Sequence, residues 1–275
     1  MEVPRLILHH YTSGAGLLGI LESKQVWASN IHSLNDSKEL AHAIELGKAA
    51  IYKVFNRAGR NEGCDYYNDI VQALDSIARV NLYVSCFSAV DDSLSQWRGY
   101  CPPGFGYSIG FDGSELEKIA KEQGFILKKC IYDDIEQKQI IDDWASRCVN
   151  EMLVGLRHAQ NSGEFVRNNS GAMIAEFMEF APFLKDRAFK DEEEWRLVSL
   201  INSDDPRLML RAGKSLLISY LPINLLLGPS SPLIWNIRVG PTPHPELAST
   251  ALTHYFNKLK IRNGVGPSRV PYRDW

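Results

Sequence analysis

Several features that define common classes of protein are missing from this sequence of 275 residues. Its five cysteines form no CxxC pair, and their odd number does not suit a framework of disulfide bonds. There is no HExxH motif and the seven histidines are scattered, so the sequence predicts no metal site. Gly104, Gly106 and Gly110 do not complete a GxGxxG motif, because Ile109 stands at the third required position. With no Walker motif either, neither a Rossmann nor a P-loop nucleotide site is supported.

Excess positive charge and long apolar runs are also missing. The net charge of -3 argues against a generally basic nucleic-acid-binding protein, although it leaves room for a local basic groove. No apolar run approaches the roughly 20 residues of a membrane-spanning helix, so we expect no membrane span. The first residues, MEVPRLILHHYT, turn polar too soon for a signal peptide. The location expected from these absences is the cytoplasm.

What the sequence does contain is a series of short strands that surrounds a mainly helical region. Alternation of side chains predicts strands at 6–12, 82–88 and 105–112, and further strands follow residue 194. Apolar residues at helical spacing between 136 and 157 place Cys148 in a core. No linker, repeat or low-complexity segment interrupts the chain. We therefore predict a single α+β domain over residues 1–275, with a helical insertion around 113–188.

The most unusual stretch is FKDEEEWRLV, residues 189–198. In a strand, Glu192, Glu194 and Arg196 would share one face, while Glu193 and Trp195 would point the other way. One interpretation is that the paired carboxylates on one face do chemistry, with Glu194 as the working member. The other is a solvated cluster of charges at the end of a strand. Both interpretations remain open from the residues alone.

Three further positions have both a structural and a functional interpretation. His10 lies on the first predicted strand. It is either a structural histidine of the core or the sheet edge, or a residue that binds a ligand. In SQWRGY, Trp97 is expected to be buried, with Arg98 either extending into solvent or binding an anionic ligand. Cys86 is either a buried thiol or a nucleophile, although no family signature supports the latter.

Several of these motifs, in this order, are similar to those of a widespread bacterial family of unknown function that is grouped with the ADP-ribosyltransferase superfamily. The similarity extends from His10 to about Pro241 and is carried by HYTS, LLGILES, VWASN, LND, SCFS, LSQWRGY, GFGYSIGFD, FKDEEEWRL and VGP. It implies an ADP-ribosyltransferase-like fold, with a split antiparallel or mixed β-sheet core. It also implies NAD as a substrate and no metal.

The resemblance assigns roles to individual residues. It implies that Glu194 is the catalytic glutamate of a late strand and that Glu192 orients the acceptor. It also implies that His10 contacts a ribose and lines the same cleft as Glu194. The other residues expected to bind NAD are Tyr11, Thr12, Ser85, Ser88, Arg98, Tyr100 and Tyr107. The three tyrosines compete for the stacking position on nicotinamide, and either Arg98 or Arg196 would hold the pyrophosphate.

The function that the resemblance implies is NAD-dependent transfer of ADP-ribose to a protein or nucleic-acid acceptor. The biological role would resemble that of a toxin or anti-phage effector. The helical insertion would then recognise the substrate or bind an antitoxin or another inhibitor protein. Two alternatives remain: an NAD glycohydrolase that uses water as the acceptor, and an inactive module of the same fold that binds a nucleotide or a protein.

Overall fold

The computed structural model describes residues 5–34, 37–58, 64–77, 80–102, 105–213, 215–227, 232–259 and 264–271. The chain divides into two compact units. The sheet unit comprises Met1–Asn30, Leu82–Lys129 and Phe189–Trp275, and the helical unit comprises Ile31–Asn81 and Cys130–Ala188. No helix in the described part of the chain combines the length and the apolar character needed to span a membrane.

All the described strands belong to the sheet unit. They are β1 (Ile7–Ser13), β2 (Gln25–Asn30), β3 (Leu82–Ser88), β4 (Gly106–Asp112), β5 (Ile126–Lys129), β6 (Glu194–Leu200), β7 (Met209–Ala212), β8 (Leu217–Asn224), β9 (Ile234–Val239) and β10 (Gly264–Pro267). The α-helices of this unit are α1 (Gly14–Ser23), α4 (Leu94–Tyr100), α5 (Gly113–Glu122) and α8 (Pro245–Leu259). A 3-10 helix, Arg187–Glu192, precedes β6.

Two of these helices begin directly at a strand end because a polar side chain caps them. The hydroxyl of Ser13 accepts a hydrogen bond from the amide of Gly16 at 3.1 Å, and α1 follows β1 without a loop. The carboxylate of Asp112 accepts hydrogen bonds from the amides of Ser114 and Glu115 in the same way, so α5 follows β4 at once. These caps satisfy amide groups that lack partners within the helix.

The ten described strands form one mixed sheet, and the sheet is split. Its order is β10-β9-β4-β1-β3-β2-β8-β7, and β6 pairs with both β3 and β5. Only β9 and β10 pair in parallel among these strands. Because β6 pairs with the whole length of β3, β1 and β2 share the opposite edge of β3. There β1 pairs at Ser88, and β2 pairs at Tyr83 and Val84.

One side of the sheet, the core face, is apolar. It carries Leu8, Val26, Ala28, Phe87, Ile109, Phe111, Leu197, Leu221 and Ile237, which form one buried cluster with side chains of α1, α5 and α8. The alternation predicted for residues 105–112 is confirmed, since Ile109 and Phe111 lie in this cluster. Burial of these side chains away from water is the main contribution to the stability of the sheet unit.

The opposite side, the polar face, carries ionisable and hydroxyl side chains that are mostly buried. By strand register it includes His9, Tyr11, Ser88, Ser108, Glu194, Arg196 and Arg238. Buried polar groups are costly unless they find hydrogen-bond partners. Folding alone would favour apolar side chains at these buried positions, so the polar residues of this face are candidates for a function.

The helical unit contains α2 (Ser37–Ala58), α3 (Cys64–Ser76), α6 (Asp134–Leu156) and α7 (Ser162–Met178), with 3-10 helices at Ile31–Ser33 and Ala181–Phe183. Trp144 of α6 packs against Phe177 of α7, with ring centroids 4.7 Å apart. Cys148 is buried in this unit, as predicted. Burial raises the pKa of its thiol to about 12.

The α+β prediction is confirmed, whereas an ADP-ribosyltransferase-like fold stays a prediction. The boundaries of the helical region differ from those expected. Residues 113–129, which form α5 and β5, belong to the sheet unit. The helical unit draws on residues 31–81 as well as on 130–188.

Candidate functional site

Three polar residues lie in one row across three neighbouring strands of the polar face. In β1, His9 is paired with Ser88 of β3, and Ser88 is paired with Glu194 of β6. Residues that face each other across antiparallel strands project to the same side of the sheet. The three side chains are nearly inaccessible, with exposed fractions of 4%, 1% and 3%. A histidine, a hydroxyl and a carboxylate are thus brought together from distant parts of the sequence.

The carboxylate of Glu194 forms a two-point ion pair with the guanidinium of Arg196. Nε of Arg196 lies 2.9 Å from Oε1, and Nη2 lies 3.2 Å from Oε2. Arg196 is itself only 1% exposed. The prediction that these two residues share one strand face is confirmed. A fork-to-fork contact of this kind fixes the orientation of both groups.

The acidic run does not form one continuous strand, so the prediction that Glu192 and Glu194 share a strand face is wrong. Glu192 ends the 3-10 helix, and Glu193 adopts a left-handed conformation with φ of 41°. The reason lies in β3: the hydroxyl of Ser88 donates to the carbonyl of Glu192 at 2.6 Å, and the amide of Ala89 donates to the carbonyl of Glu193 at 3.0 Å. These bonds turn the backbone before the strand begins.

Glu193 points to a different environment from Glu194. Its carboxylate lies 3.4 Å from Nζ of Lys129, and both side chains are about half exposed. Such an exposed pair contributes little to stability. Glu193 is therefore a natural control for the buried Glu194.

His9 is held within the polar face by its neighbours in β4 and β9. Its Nδ1 lies 3.3 Å from Oγ of Ser108. Burial lowers the pKa of His9 to about 4, despite the nearby charge of Asp91, so the imidazole is neutral at neutral pH. Gly110 faces it, and a Cβ there would meet Cε1 of His9 at 2.9 Å and Oδ1 of Asn236 at 2.0 Å. Glycine is required at that position for His9 and the asparagine to approach each other.

His10 lies on the other side of the sheet, so the prediction that it lines the same cleft as Glu194 is wrong. It is paired with Ile109, and its ring lies 5.5 Å from that of Phe87 on the core face. Its Nδ1 lies 3.0 Å from the carbonyl oxygen of Cys86. Since a carbonyl only accepts, Nδ1 is the donor, and Nε2 of the neutral ring is left as an acceptor. The ring thus caps a carbonyl of β3 near the point where the sheet splits.

The hydroxyls of Tyr11 and Ser88 are used to organise the loop that follows β3. Tyr11 donates to the carbonyl of Val90 at 2.7 Å and accepts from the amide of Ser93 at 3.1 Å. Ser88 accepts from the amide of Val90 at 3.0 Å while it donates to Glu192. Burial raises the pKa of Tyr11 far above its usual range. Both residues lie on the same side of the sheet as Glu194, where their hydroxyls position the backbone.

The remaining predicted residues do not join this row. Thr12 and Tyr107 are cross-strand partners on the core face, and Ser85 lies on that face as well. The hydroxyl of Ser85 is buried and has no hydrogen-bond partner among the described residues. Arg98 and Tyr100 lie on α4 with exposed side chains. Trp97 is 2% exposed, which confirms its predicted burial.

Four residues next to the row were not singled out from the sequence: Asp91, Asp92, Asn236 and Arg238. Arg238 forms an ion pair with Asp91 and donates to the carbonyl of Pro267 at 2.9 Å. The Asp92 carboxylate accepts from the indole of Trp97 at 2.9 Å and from the hydroxyl of Ser268 at 2.6 Å. Asp91 and Asp92 could have been found from the sequence, because two adjacent aspartates that closely follow a buried strand indicate a polar turn.

No cluster of three or more histidine, cysteine or carboxylate side chains able to hold a metal is present among the described residues. The site as described is thus built from a buried ion pair, a neutral imidazole and hydroxyl groups. Such a set can bind and orient a polar ligand, and it can stabilise positive charge next to a carboxylate.

Residues 96–197 match the model of a family described as a protein of unknown function, DUF2971. No curated protein matches the chain. No solved structure matches it either. The matched region runs from α4 to the middle of β6, and it includes both Glu194 and Arg196. The chain is therefore similar, over this region, to a family of uncharacterised proteins.

Proposed function

We propose that the chain is an NAD-dependent ADP-ribosyltransferase that acts on a protein or nucleic-acid acceptor. The observation that supports it is the row of His9, Ser88 and Glu194, in which a buried carboxylate is fixed by the guanidinium of Arg196. In such a reaction the bond between nicotinamide and ribose breaks, and a bond between ribose and the acceptor forms. The acceptor loses a proton to solvent. No metal is required.

In this proposal Glu194 stabilises the ribose as positive charge develops on it. A ribose hydroxyl would donate a hydrogen bond to this carboxylate, whose orientation Arg196 fixes through both oxygens. Arg196 holds the carboxylate in place, as a charge-stabilising group requires. His9, rather than His10, is the histidine on the same side of the sheet. Because it is neutral, it can exchange a hydrogen bond with a ribose hydroxyl without repelling an adjacent positive charge.

A second candidate function is an inactive module that binds a nucleotide or a protein. It is favoured by the burial of Glu194, which is 3% exposed, and by the engagement of both its oxygens by Arg196. An active site must be accessible to its substrate, whereas a structural ion pair can remain closed to solvent. An NAD glycohydrolase would use the same residues with water as the acceptor.

The decisive experiment is to measure nicotinamide release from NAD by the purified protein and by three variants. Glu194→Gln keeps the shape and removes the charge, so we expect turnover to fall by roughly 100-fold or more. Glu192→Gln should reduce transfer more than hydrolysis. Glu193→Gln is the matched control, since its side chain is half exposed and paired only with Lys129 among the described residues.

Thermal unfolding of each variant separates lost chemistry from lost folding. Unchanged turnover in a folded Glu194→Gln protein would reject the proposal, and no release by the parent protein would favour the inactive module. Incubation with labelled NAD and a cell lysate then identifies the acceptor. Label in protein, label in nucleic acid or free ADP-ribose alone distinguishes the two kinds of transferase from the glycohydrolase. A role as a toxin or anti-phage effector, controlled by an inhibitor protein, is part of the same proposal.

A further inference from the structure

A second surface lies on the same side of the sheet as Glu194, but on the other arm of the split, where β2, β8 and β7 run together. Its centre is Trp27, which is 43% exposed. One face of the Trp27 ring packs on Tyr220, with centroids 4.4 Å apart and planes inclined by 31°. The exposed area of Trp27 therefore lies on the rest of the indole. An exposed tryptophan that is backed by a second aromatic ring is a rigid, flat platform.

An arginine that forms no ion pair with a carboxylate of the described residues borders this platform. Nη2 of Arg211 donates to the hydroxyl of Ser29 at 3.1 Å, and its Nε has no hydrogen-bond partner among the described residues. No carboxylate forms an ion pair with Arg211 in the described part of the chain. Three other arginines of the sheet unit form ion pairs: Arg196 with Glu194, Arg207 with Asp205 and Arg238 with Asp91. Arg211 thus carries a positive charge that the described residues do not neutralise.

The position of Arg211 relative to Trp27 follows from the strand geometry. Trp27 and Ser29 are two residues apart in β2, so they lie on the same side of the sheet and roughly 7 Å apart. Arg211 reaches Ser29 from β7, and Met209 of β7 is the cross-strand partner of Tyr220. The flat ring and the cation are therefore within the span of a single nucleotide.

The charge of the surrounding strands also favours an anionic ligand. The sequences of β2, β8 and β7 are QVWASN, LISYLPIN and MLRA, and they contain no aspartate or glutamate. The chain as a whole has a net charge of -3, so this segment differs from the average surface. A ring that can stack on a base, next to a cation that can pair with a phosphate, is the combination used for unpaired nucleotides.

We propose that the platform formed by Trp27, Tyr220 and Arg211 binds single-stranded nucleic acid, with a base stacked on Trp27 and a backbone phosphate near Arg211. Bases in a duplex are covered by their neighbours, so the platform selects unpaired nucleotides over paired ones. The interaction does not require NAD. The binding proposal is therefore independent of the transfer reaction proposed for Glu194, and each can be tested without the other.

The test is the binding of fluorescein-labelled single-stranded DNA and RNA oligonucleotides of mixed sequence to the intact protein, measured by fluorescence anisotropy without NAD. Dissociation constants on the order of 1–100 µM are typical of sequence-independent binding. Trp27→Ala should weaken binding by about tenfold or more, because stacking on an aromatic side chain is lost. Trp27→Phe keeps a ring and should retain most of the affinity. Arg211→Gln should weaken binding and reduce its dependence on salt concentration.

The matched control is Trp235→Ala. Trp235 belongs to the same unit and has a similar exposed fraction, 46%, but Arg5 already lies 4.5 Å from its ring centroid. We expect this variant to bind like the parent protein. A loss confined to the Trp27 and Arg211 variants supports the proposal, and the DNA and RNA series show which nucleic acid is preferred.

Three results would overturn it: no binding by the parent protein, equal loss in the Trp27→Ala and Trp235→Ala variants, or tighter binding of a duplex than of its single strands. Thermal unfolding verifies that each variant is folded. If Trp27→Ala fails to fold, Arg211→Gln decides the question, since this side chain is partly exposed and glutamine removes its charge while remaining polar.

Discussion

The two faces of the sheet place neighbouring residues in opposite environments. His9 lies on the polar face beside Ser108, whereas His10 lies on the core face beside Phe87. Burial lowers the pKa of both histidines, but only His9 belongs to the row with Glu194. On the core face, stability comes from many apolar contacts, and no single one of them is essential. On the polar face each buried group depends on a specific partner, so single substitutions there should have sharper effects.

The largest effect should come from breaking the buried ion pair of the polar face. Arg196→Met leaves the carboxylate of Glu194 buried without its cation, and we expect a loss of about 3–5 kcal/mol in the free energy of unfolding. Urea denaturation of the purified protein measures this. Lys129→Met, which removes the cation from the exposed Glu193, should cost less than about 1 kcal/mol. Replacing Glu194 and Arg196 together should recover much of the loss.

The pH dependence of stability provides the next contrast. The pKa of His9 is about 4 in the folded protein, against 6.5 for the ordinary histidine expected when unfolded. The unfolded state therefore binds more protons between these values, so the stability contribution is complete above pH 6.5 and is lost as pH falls towards 4. The loss should reach about 3 kcal/mol relative to a His9→Gln protein. Parallel pH profiles of the two proteins would contradict this.

Two serines of β3 should respond in opposite directions. Ser88→Ala removes a hydroxyl that bonds both Glu192 and Val90, so we expect a loss of about 1–2 kcal/mol. Ser85→Ala removes a buried hydroxyl that has no partner among the described residues, so the free energy of unfolding should rise by about 1 kcal/mol. Denaturation midpoints measured side by side give the comparison directly. A destabilised Ser85→Ala protein would indicate that the hydroxyl is bonded in solution.

The smallest effect concerns the backbone at the start of β6. Glu193→Gly should stabilise the protein by up to about 1 kcal/mol, because glycine adopts the left-handed conformation without the strain of a Cβ. Glu193→Ala, which keeps the Cβ, is the control and should not stabilise. Nicotinamide release by the glycine variant would then show whether the strained conformation also positions Glu194.

The sequence by itself determined the features that depend on local periodicity. Alternation placed Ile109 and Phe111 in the core, helical spacing placed Cys148 in a core, and the aromatic residue of SQWRGY is buried as expected. It also placed Glu194 and Arg196 on one strand face, where they pair. These outcomes follow because the side-chain period of a strand or helix is set within a few residues.

Tertiary structure alone decided which residues accompany Glu194. Whether His9 or His10 shares its side of the sheet depends on the register between β1, β3 and β6, and register is set by pairing over long sequence separations. The conformation of Glu193 was likewise imposed by hydrogen bonds from Ser88 and Ala89, about 100 residues earlier. Trp27 and Arg211 became neighbours for the same reason, through Ser29 and the pairing of β2, β8 and β7. The local pattern determines which residues of one strand share a face, whereas only the pairing of strands in the sheet determines which residues of different strands become neighbours.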